Sequence, residues 1–155
     1  MLDLTHIWTE KLWKMQLEKI MLQEPTLTAN GFGAFWTSNF SLSSPMYQET
    51  LELQREEFAT EVEQFRSACH VLSGLEKQEE LNYDFNSYQL KHRVEEYLRV
   101  ELDKMSIYIS NGATIAAAIF CGFKYEKPDP GGVGVSINLS NTEYDKFRSG
   151  LLHQE

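Results

Sequence analysis

The first regular pattern of apolar side chains covers residues 4–23, where they recur at three- and four-residue spacing with no Gly or Pro. This spacing predicts a helix. A second apolar line runs beside the first. A helix that is apolar on two sides is wedged between layers of a fold or takes part in a subunit contact. The first line consists of Leu4, Ile7, Trp8, Leu12, Met15, Ile20 and Leu22, and the second of Trp13, Leu17 and Met21.

Residues 24–45 differ in composition from the predicted first helix, because they contain one charged residue and a cluster of aromatic residues among Gly, Ser, Thr and Asn. A structureless loop of this length is uncommon in a compact domain, so short strands are predicted. Asn30–Gly31 is a favoured central pair of a type I′ turn, which predicts a hairpin here. The aromatic residues are Phe32, Phe35, Trp36 and Phe40.

A long amphipathic helix is predicted from about 45 to 80, with Ser44 as its N-cap and Pro45 in its first turn. Gly74 is a point where this helix weakens or ends early. Most of its glutamates lie outside a heptad-like apolar seam, which favours self-association through the seam or through the first helix. The seam residues are Leu51, Phe58, Val62, Phe65, Cys69 and Leu72.

The third predicted helix begins with a capping box formed by Asn86 and Gln89 and runs to about Met105. Residues 106–110, which follow it, are β-prone. The apolar positions that this helix is expected to bury are Leu90, Val94, Tyr97, Leu98, Leu102 and Met105.

A fourth helix is predicted from Ser110 or Asn111 to about Cys121, with Gly122 as the residue that ends it. This segment is apolar all round and contains three consecutive alanines. A helix without a polar face is buried, so we expect it at the centre of the domain.

Alternating patterns at 123–127 and 133–139 predict two strands joined by a turn, and Ser140 with Glu143 opens a short C-terminal helix. The expected fold is a single α+β domain over residues 1–155. Three longer helices and the central apolar helix would pack on a small antiparallel sheet that combines the 123–139 hairpin with strands from 26–42. An all-helical bundle with peripheral hairpins is the alternative.

The composition changes this picture through its charge. The formal net charge is −9, from 14 Lys and Arg against 23 Asp and Glu, and −7 of it lies in residues 49–104. Such a balance argues against binding to nucleic acid or to an anionic membrane surface. The central apolar helix carries no Arg, Lys, Asn or Gln between Ala113 and Cys121, so a winged-helix-like arrangement there has no side chains to read bases.

The N-terminus has Asp3 and no basic region before an apolar stretch, so no signal peptide is predicted and a cytoplasmic location is expected. Cys69 and Cys121 lack metal-binding spacing and are expected as small core residues. His92 and Glu96 form an i,i+4 pair, for which a solvated pair is the commoner explanation than metal ligation. No cofactor motif is present, and no cofactor is expected.

No catalytic constellation stands out, so the first functional hypothesis is a non-enzymatic protein-binding module that associates with itself or another protein. Aromatic residues among small polar ones are typical of binding surfaces. The alternative is a small-ligand-binding protein or enzyme with a pocket between the aromatic segment and the third helix. A third hypothesis is an inhibitor that presents acidic groups to a nucleic-acid-binding enzyme. The candidate binding residues are Phe32, Phe35, Trp36, Phe40, Tyr83, Asp84 and His92, and Tyr88 belongs to the same proposed pocket.

Overall fold

The computed structural model describes residues 9–36, 41–129, 132 and 134–149, and over these ranges the fold is α+β with two small antiparallel sheets. The predicted fold class is therefore confirmed. The helices are α1 (Glu10–Gln23), α2 (Pro45–Phe58), α3 (Val62–Leu72), α4 (Ser87–Glu101), α5 (Asn111–Phe120) and α6 (Asn141–Ser149). The strands are β1 (Leu27–Thr28), β2 (Gly31–Phe32), β3 (Lys77–Asn82), β4 (Tyr125–Glu126) and β5 (Ser136–Leu139).

Helix α5 is the centre of the domain, as its all-apolar sequence predicts. Every residue from 111 to 118 is buried, and α1, α3 and α4 pack around it. Ser110 caps it by accepting a hydrogen bond from the Ala113 N–H, and Gly122 ends it with a φ of 85°. Gly122 takes this left-handed conformation without the strain that a Cβ would add.

The hairpin of β1 and β2 docks on the start of α5. The Gly112 N–H donates to the Ala29 carbonyl at 2.9 Å, and a Cβ on Gly112 would lie 1.9 Å from the Thr28 oxygen. Only glycine permits this approach. The hairpin prediction is confirmed, but its turn lies one residue earlier than predicted. Because Thr28 pairs with Gly31, the central residues are Ala29 and Asn30.

The helix predicted for 45–80 is two helices followed by a strand. Ser44 and Pro45 begin α2 as predicted, but the helix stops at Phe58 and α3 starts at Val62. The Thr60 hydroxyl donates to the Glu57 carbonyl at 2.6 Å, a local bond that competes with helix continuation. All six seam residues are buried in the protein's own core, so no self-association is proposed through them.

The three-stranded sheet has the order β3-β5-β4, which corrects the expected sheet. The predicted hairpin of 123–139 is present as β4 and β5, but its third strand comes from residues 77–82, not from 26–42. The sequence of β3, KQEELN, lacks the residues that favour strands. It is held at the sheet edge partly by amides, since Asn82 Nδ2 donates to the Leu139 carbonyl and Asn138 Nδ2 to the Gln78 carbonyl.

Helix α4 begins with the predicted capping box of Asn86 and Gln89 but ends at Glu101. Asp103 adopts a left-handed φ of 51°, which turns the chain away from the helix axis. Leu102 and Met105 were expected to be buried and are instead 49% and 99% exposed. The residues 106–110 that follow form no strand.

The Ser140 hydroxyl accepts a hydrogen bond from the Glu143 N–H at 3.1 Å, at the predicted start of the C-terminal helix.

In the ranges that the structure describes, no helix combines the length and apolar character needed to cross a membrane.

Candidate functional site

An open cleft of about 290 Å³ lies between α4, the turn of the β1–β2 hairpin and the segment that leads into α5. We call it the α4 cleft. The capping box fixes where α4 begins, and the docking of the hairpin on Gly112 brings the turn opposite the helix. The cleft is lined by Ala29, Asn30, Tyr88, Lys91, His92, Glu95, Tyr108 and Asn111.

The floor of the α4 cleft holds a buried ion pair. Lys91 and Glu95 are 4% and 5% exposed, and Lys91 Nζ lies 3.3 Å from Glu95 Oε2. The backbone N–H of Ile109 donates to the same oxygen at 3.0 Å. Removing two charges from water carries a large desolvation penalty, so a buried ion pair is weak evidence for stability. The gain in stability from this pair is therefore not enough to explain why two charged residues are buried here.

Glu95 also orients a histidine at the cleft surface. Its Oε1 lies 2.9 Å from His92 Nδ1, and the His92 side chain is 49% exposed. When the Glu95 carboxylate accepts this hydrogen bond, Nδ1 is the donor and carries the proton. In a neutral ring, Nε2 then holds a lone pair. This carboxylate–histidine pair gives the cleft a fixed hydrogen-bond acceptor that also suits proton transfer.

Two tyrosines complete the walls. Lys91 Nζ lies 5.4 Å from the ring centroid of Tyr88 and 4.7 Å from that of Tyr108, so both rings contact the cation. Tyr88 also meets the His92 ring edge-on at 5.0 Å. Both tyrosines keep about half or more of their surface exposed, at 49% and 64%. Burial, together with the negative charges of Glu61 and Glu95, raises the pKa of Tyr108, which keeps its hydroxyl protonated.

Glu61, whose charge acts on Tyr108, connects α3 to the start of α5. Its Oε1 accepts a hydrogen bond from the Ser110 hydroxyl at 2.6 Å, while Gln64 accepts from the Ser110 N–H at 2.7 Å. Burial raises the pKa of Glu61 above its ordinary value, although the Ser110 hydrogen bond opposes this shift.

The structure separates the predicted site residues into three places. Trp36 meets Tyr47 edge-on at 5.4 Å, and Phe32 stacks on Tyr125 at 6.4 Å, so both help to pack the hairpin region. Phe35 is 66% exposed, and its backbone is held by two hydrogen bonds to the Gln54 amide, of 2.8 and 3.1 Å. Phe40 lies outside the described residues.

Tyr83 and Asp84 lie at the three-stranded sheet and the start of α6. The Tyr83 hydroxyl donates to Glu126 at 2.8 Å, and Asp84 accepts from Asn141 Nδ2 at 2.7 Å. The hydrogen bond to Glu126 raises the pKa of Tyr83. Neither residue lines the α4 cleft, so of the proposed pocket cluster only Tyr88 and His92 come together there.

Sequence reasoning missed Lys91, Glu95 and Tyr108. An i,i+4 Lys–Glu pair is typical of a solvated helix face. The sequence of α4 therefore gave no signal that positions 91 and 95 turn inward.

The expected pairing of His92 with Glu96 is wrong. His92 pairs with Glu95, three residues on, while Glu96 pairs with Arg93 at 3.0 Å. Within the part of the chain that the structure describes, no group of three or more His, Cys, Asp or Glu is placed to hold a metal ion.

Comparison with protein-family models, curated proteins and solved structures found no match for this chain.

Proposed function

We propose that the protein binds a small polar molecule in the α4 cleft, with His92 Nε2 accepting a hydrogen bond from a hydroxyl or N–H group of the ligand. The observation that carries this proposal is the buried Lys91–Glu95 pair, in which Glu95 also lies within hydrogen-bond distance of an exposed histidine. A carboxylate that pairs with a histidine at the edge of a cleft suits a ligand-binding role.

The charges around the cleft favour a ligand without phosphate groups. Lys91 is neutralised by Glu95, and Glu61 adds a carboxylate near Tyr108. An anionic ligand would therefore meet no unpaired cation among the lining residues. The exposed rings of Tyr88 and Tyr108 offer apolar surface, so a neutral ligand with a flat apolar face and a hydrogen-bond donor fits best.

Metabolite capture tests this proposal. The purified protein is incubated with a cell extract of small molecules, separated from unbound material and denatured, and the released compounds are identified by mass spectrometry. His92→Phe keeps a ring against Tyr88 but removes the acceptor. His70→Phe is the matched control, because His70 on α3 forms a similar pair with Glu101 at 3.0 Å and does not line this cleft.

A compound is expected to be retained by the wild type and by His70→Phe, and to be lost with His92→Phe. Loss of one hydrogen bond to a polar group lowers affinity by roughly tenfold. If no compound is retained, or if both variants retain it equally, the proposal is contradicted.

Self-association through α1 is a second candidate function that a specific observation favours. Trp13, Leu17, Ile20 and Met21 face the core, which leaves part of the other apolar line outside. Leu12, Met15 and Leu22 are 40%, 52% and 83% exposed. At 3.6 residues per turn these three positions share one face. Such an apolar line suits a second copy of the same helix.

Sedimentation velocity tests this candidate at concentrations on the order of tens of micromolar. The wild type is expected to sediment as a dimer and Leu22→Lys as a monomer. Leu53→Lys is the control, because Leu53 is an equally apolar residue on α2 that is 61% exposed. A monomeric wild type, or equal effects of both variants, would reject the α1 surface.

A further inference from the structure

We propose that Cys69 and Cys121 are a thiol pair that oxidises reversibly to a disulfide joining α3 to the end of α5. Both cysteines are free, and Cys121 Sγ lies 3.8 Å from the Cys69 carbonyl oxygen. This contact places the Cys121 thiol against residue 69, where α3 packs on α5. From this contact, a disulfide forms once the two thiols turn toward each other.

The two thiols differ in the way that a stepwise exchange requires. Cys121 is partly exposed, while Cys69 is fully buried. The hydrogen bond from Cys69 lowers the pKa of Cys121, and Lys77 adds to this effect, whereas burial raises the pKa of Cys69. The thiolate is the attacking species, so Cys121 reacts first with an oxidant from solvent.

The oxidant is a low-molecular-weight disulfide such as oxidised glutathione. The Cys121 thiolate attacks one of its sulfurs, forming a mixed disulfide and releasing one glutathione thiolate. Cys69 then attacks the Cys121 sulfur, and the second glutathione thiolate leaves and takes up the proton that Cys69 gives up. The protein loses two protons and two electrons, and one oxidised glutathione becomes two reduced glutathiones.

The experiment uses the full chain, reduced and then exposed to oxidised glutathione at mildly alkaline pH. Free thiols are blocked with N-ethylmaleimide at timed intervals, and the products are measured by intact-mass and peptide mass spectrometry. Wild type is expected to become an intramolecular disulfide with no thiol left to block. Cys69→Ala should stop at the glutathione adduct on Cys121, and Cys121→Ala should react at least tenfold more slowly.

Three outcomes would overturn the proposal: a wild type that retains both thiols, a stable glutathione adduct in the wild type, or disulfides between two chains. The wild-type result stands without the variants. Circular dichroism of each variant shows whether its fold is kept, and Cys69→Ser and Cys121→Ser replace any variant that does not fold.

Discussion

Helices α5 and α4 pack against each other at the centre of the domain but bury different chemistry. Residues 111–118 of α5 are buried, and the residues of this run beyond its first turn are almost all small and apolar. Helix α4 buries Leu90, Val94 and Leu98 in the same core, and beside them it also buries Lys91 and Glu95. Close packing accounts for the sequence of α5, whereas it gives no reason for an ion pair on α4.

This difference in buried chemistry distinguishes the roles of the two helices. The part of α5 beyond its first turn, which packing explains, is a scaffold, and α4, which carries a buried ion pair beside a cleft, is the candidate for a binding role.

The largest effect is expected from breaking the buried pair on α4. Glu95→Leu leaves the Lys91 ammonium buried without its carboxylate and should lower the free energy of unfolding by about 3–5 kcal/mol. Adding Lys91→Met should recover much of this loss, because both charges are then gone. Urea unfolding measures the change. Glu96→Leu, at the exposed next position, should change stability by only about 0.5 kcal/mol. Equal losses for Glu95→Leu and Glu96→Leu would contradict a buried pair.

The packing of α5 is tested by Gly112→Ala. The new Cβ would lie 1.9 Å from the Thr28 oxygen, so the hairpin must move, and a loss of about 3 kcal/mol is expected. Gly122→Ala is the comparison, because its Cβ meets only ordinary contact at 3.7 Å. Because residue 122 is in the left-handed conformation, alanine there should lower stability by about 1 kcal/mol. Urea unfolding measures both variants. A smaller loss of stability for Gly112→Ala than for Gly122→Ala would show that the hairpin does not dock closely on α5.

The caps of the two helices should also differ. Ser110→Ala removes a hydroxyl that accepts from Ala113 and donates to the partly buried Glu61, and should lower stability by about 2 kcal/mol. Asn86→Ala removes the more exposed cap of α4 and should lower it by about 1 kcal/mol. Thermal unfolding measures both changes. A larger loss of stability for Asn86→Ala than for Ser110→Ala would contradict this difference between the caps.

The smallest effect is a pH dependence from Glu61. Its raised pKa means that the folded protein binds a proton more tightly than the unfolded chain does. Stability should therefore fall as pH rises from the ordinary glutamate value of 4.5 through the raised value. Glu61→Gln should flatten this part of the stability profile, measured by urea unfolding at several pH values. A profile that keeps the wild-type slope would show that Glu61 is not its source.

Local signals predicted much of the fold. The caps at Ser44, Asn86, Ser110 and Ser140 place the starts of four helices where the structure has them. Such features act over a few residues, so the sequence records them directly. Strand β3 was not predicted, because it is stabilised by pairing with a distant strand and by asparagine amides, which local composition does not show.

The candidate site was predictable only in part, for the same reason. His92 and Tyr88 were singled out and do line one cleft, while Tyr83 and Asp84 were grouped with them because they are close in sequence. The inward turn of Glu95 depends on the packing of α4 against α5, which is a property of the folded chain.

Nitrogen NMR of protein labelled at histidine tests whether Glu95 fixes the proton on His92 Nδ1 and leaves Nε2 free for a ligand. At a pH where the ring is neutral, His92 is expected to show the Nδ1–H tautomer. Glu95→Gln should reduce this tautomer, and Glu96→Gln should leave it unchanged. A His92 ring that is mainly the Nε2–H tautomer in the wild type would contradict the account.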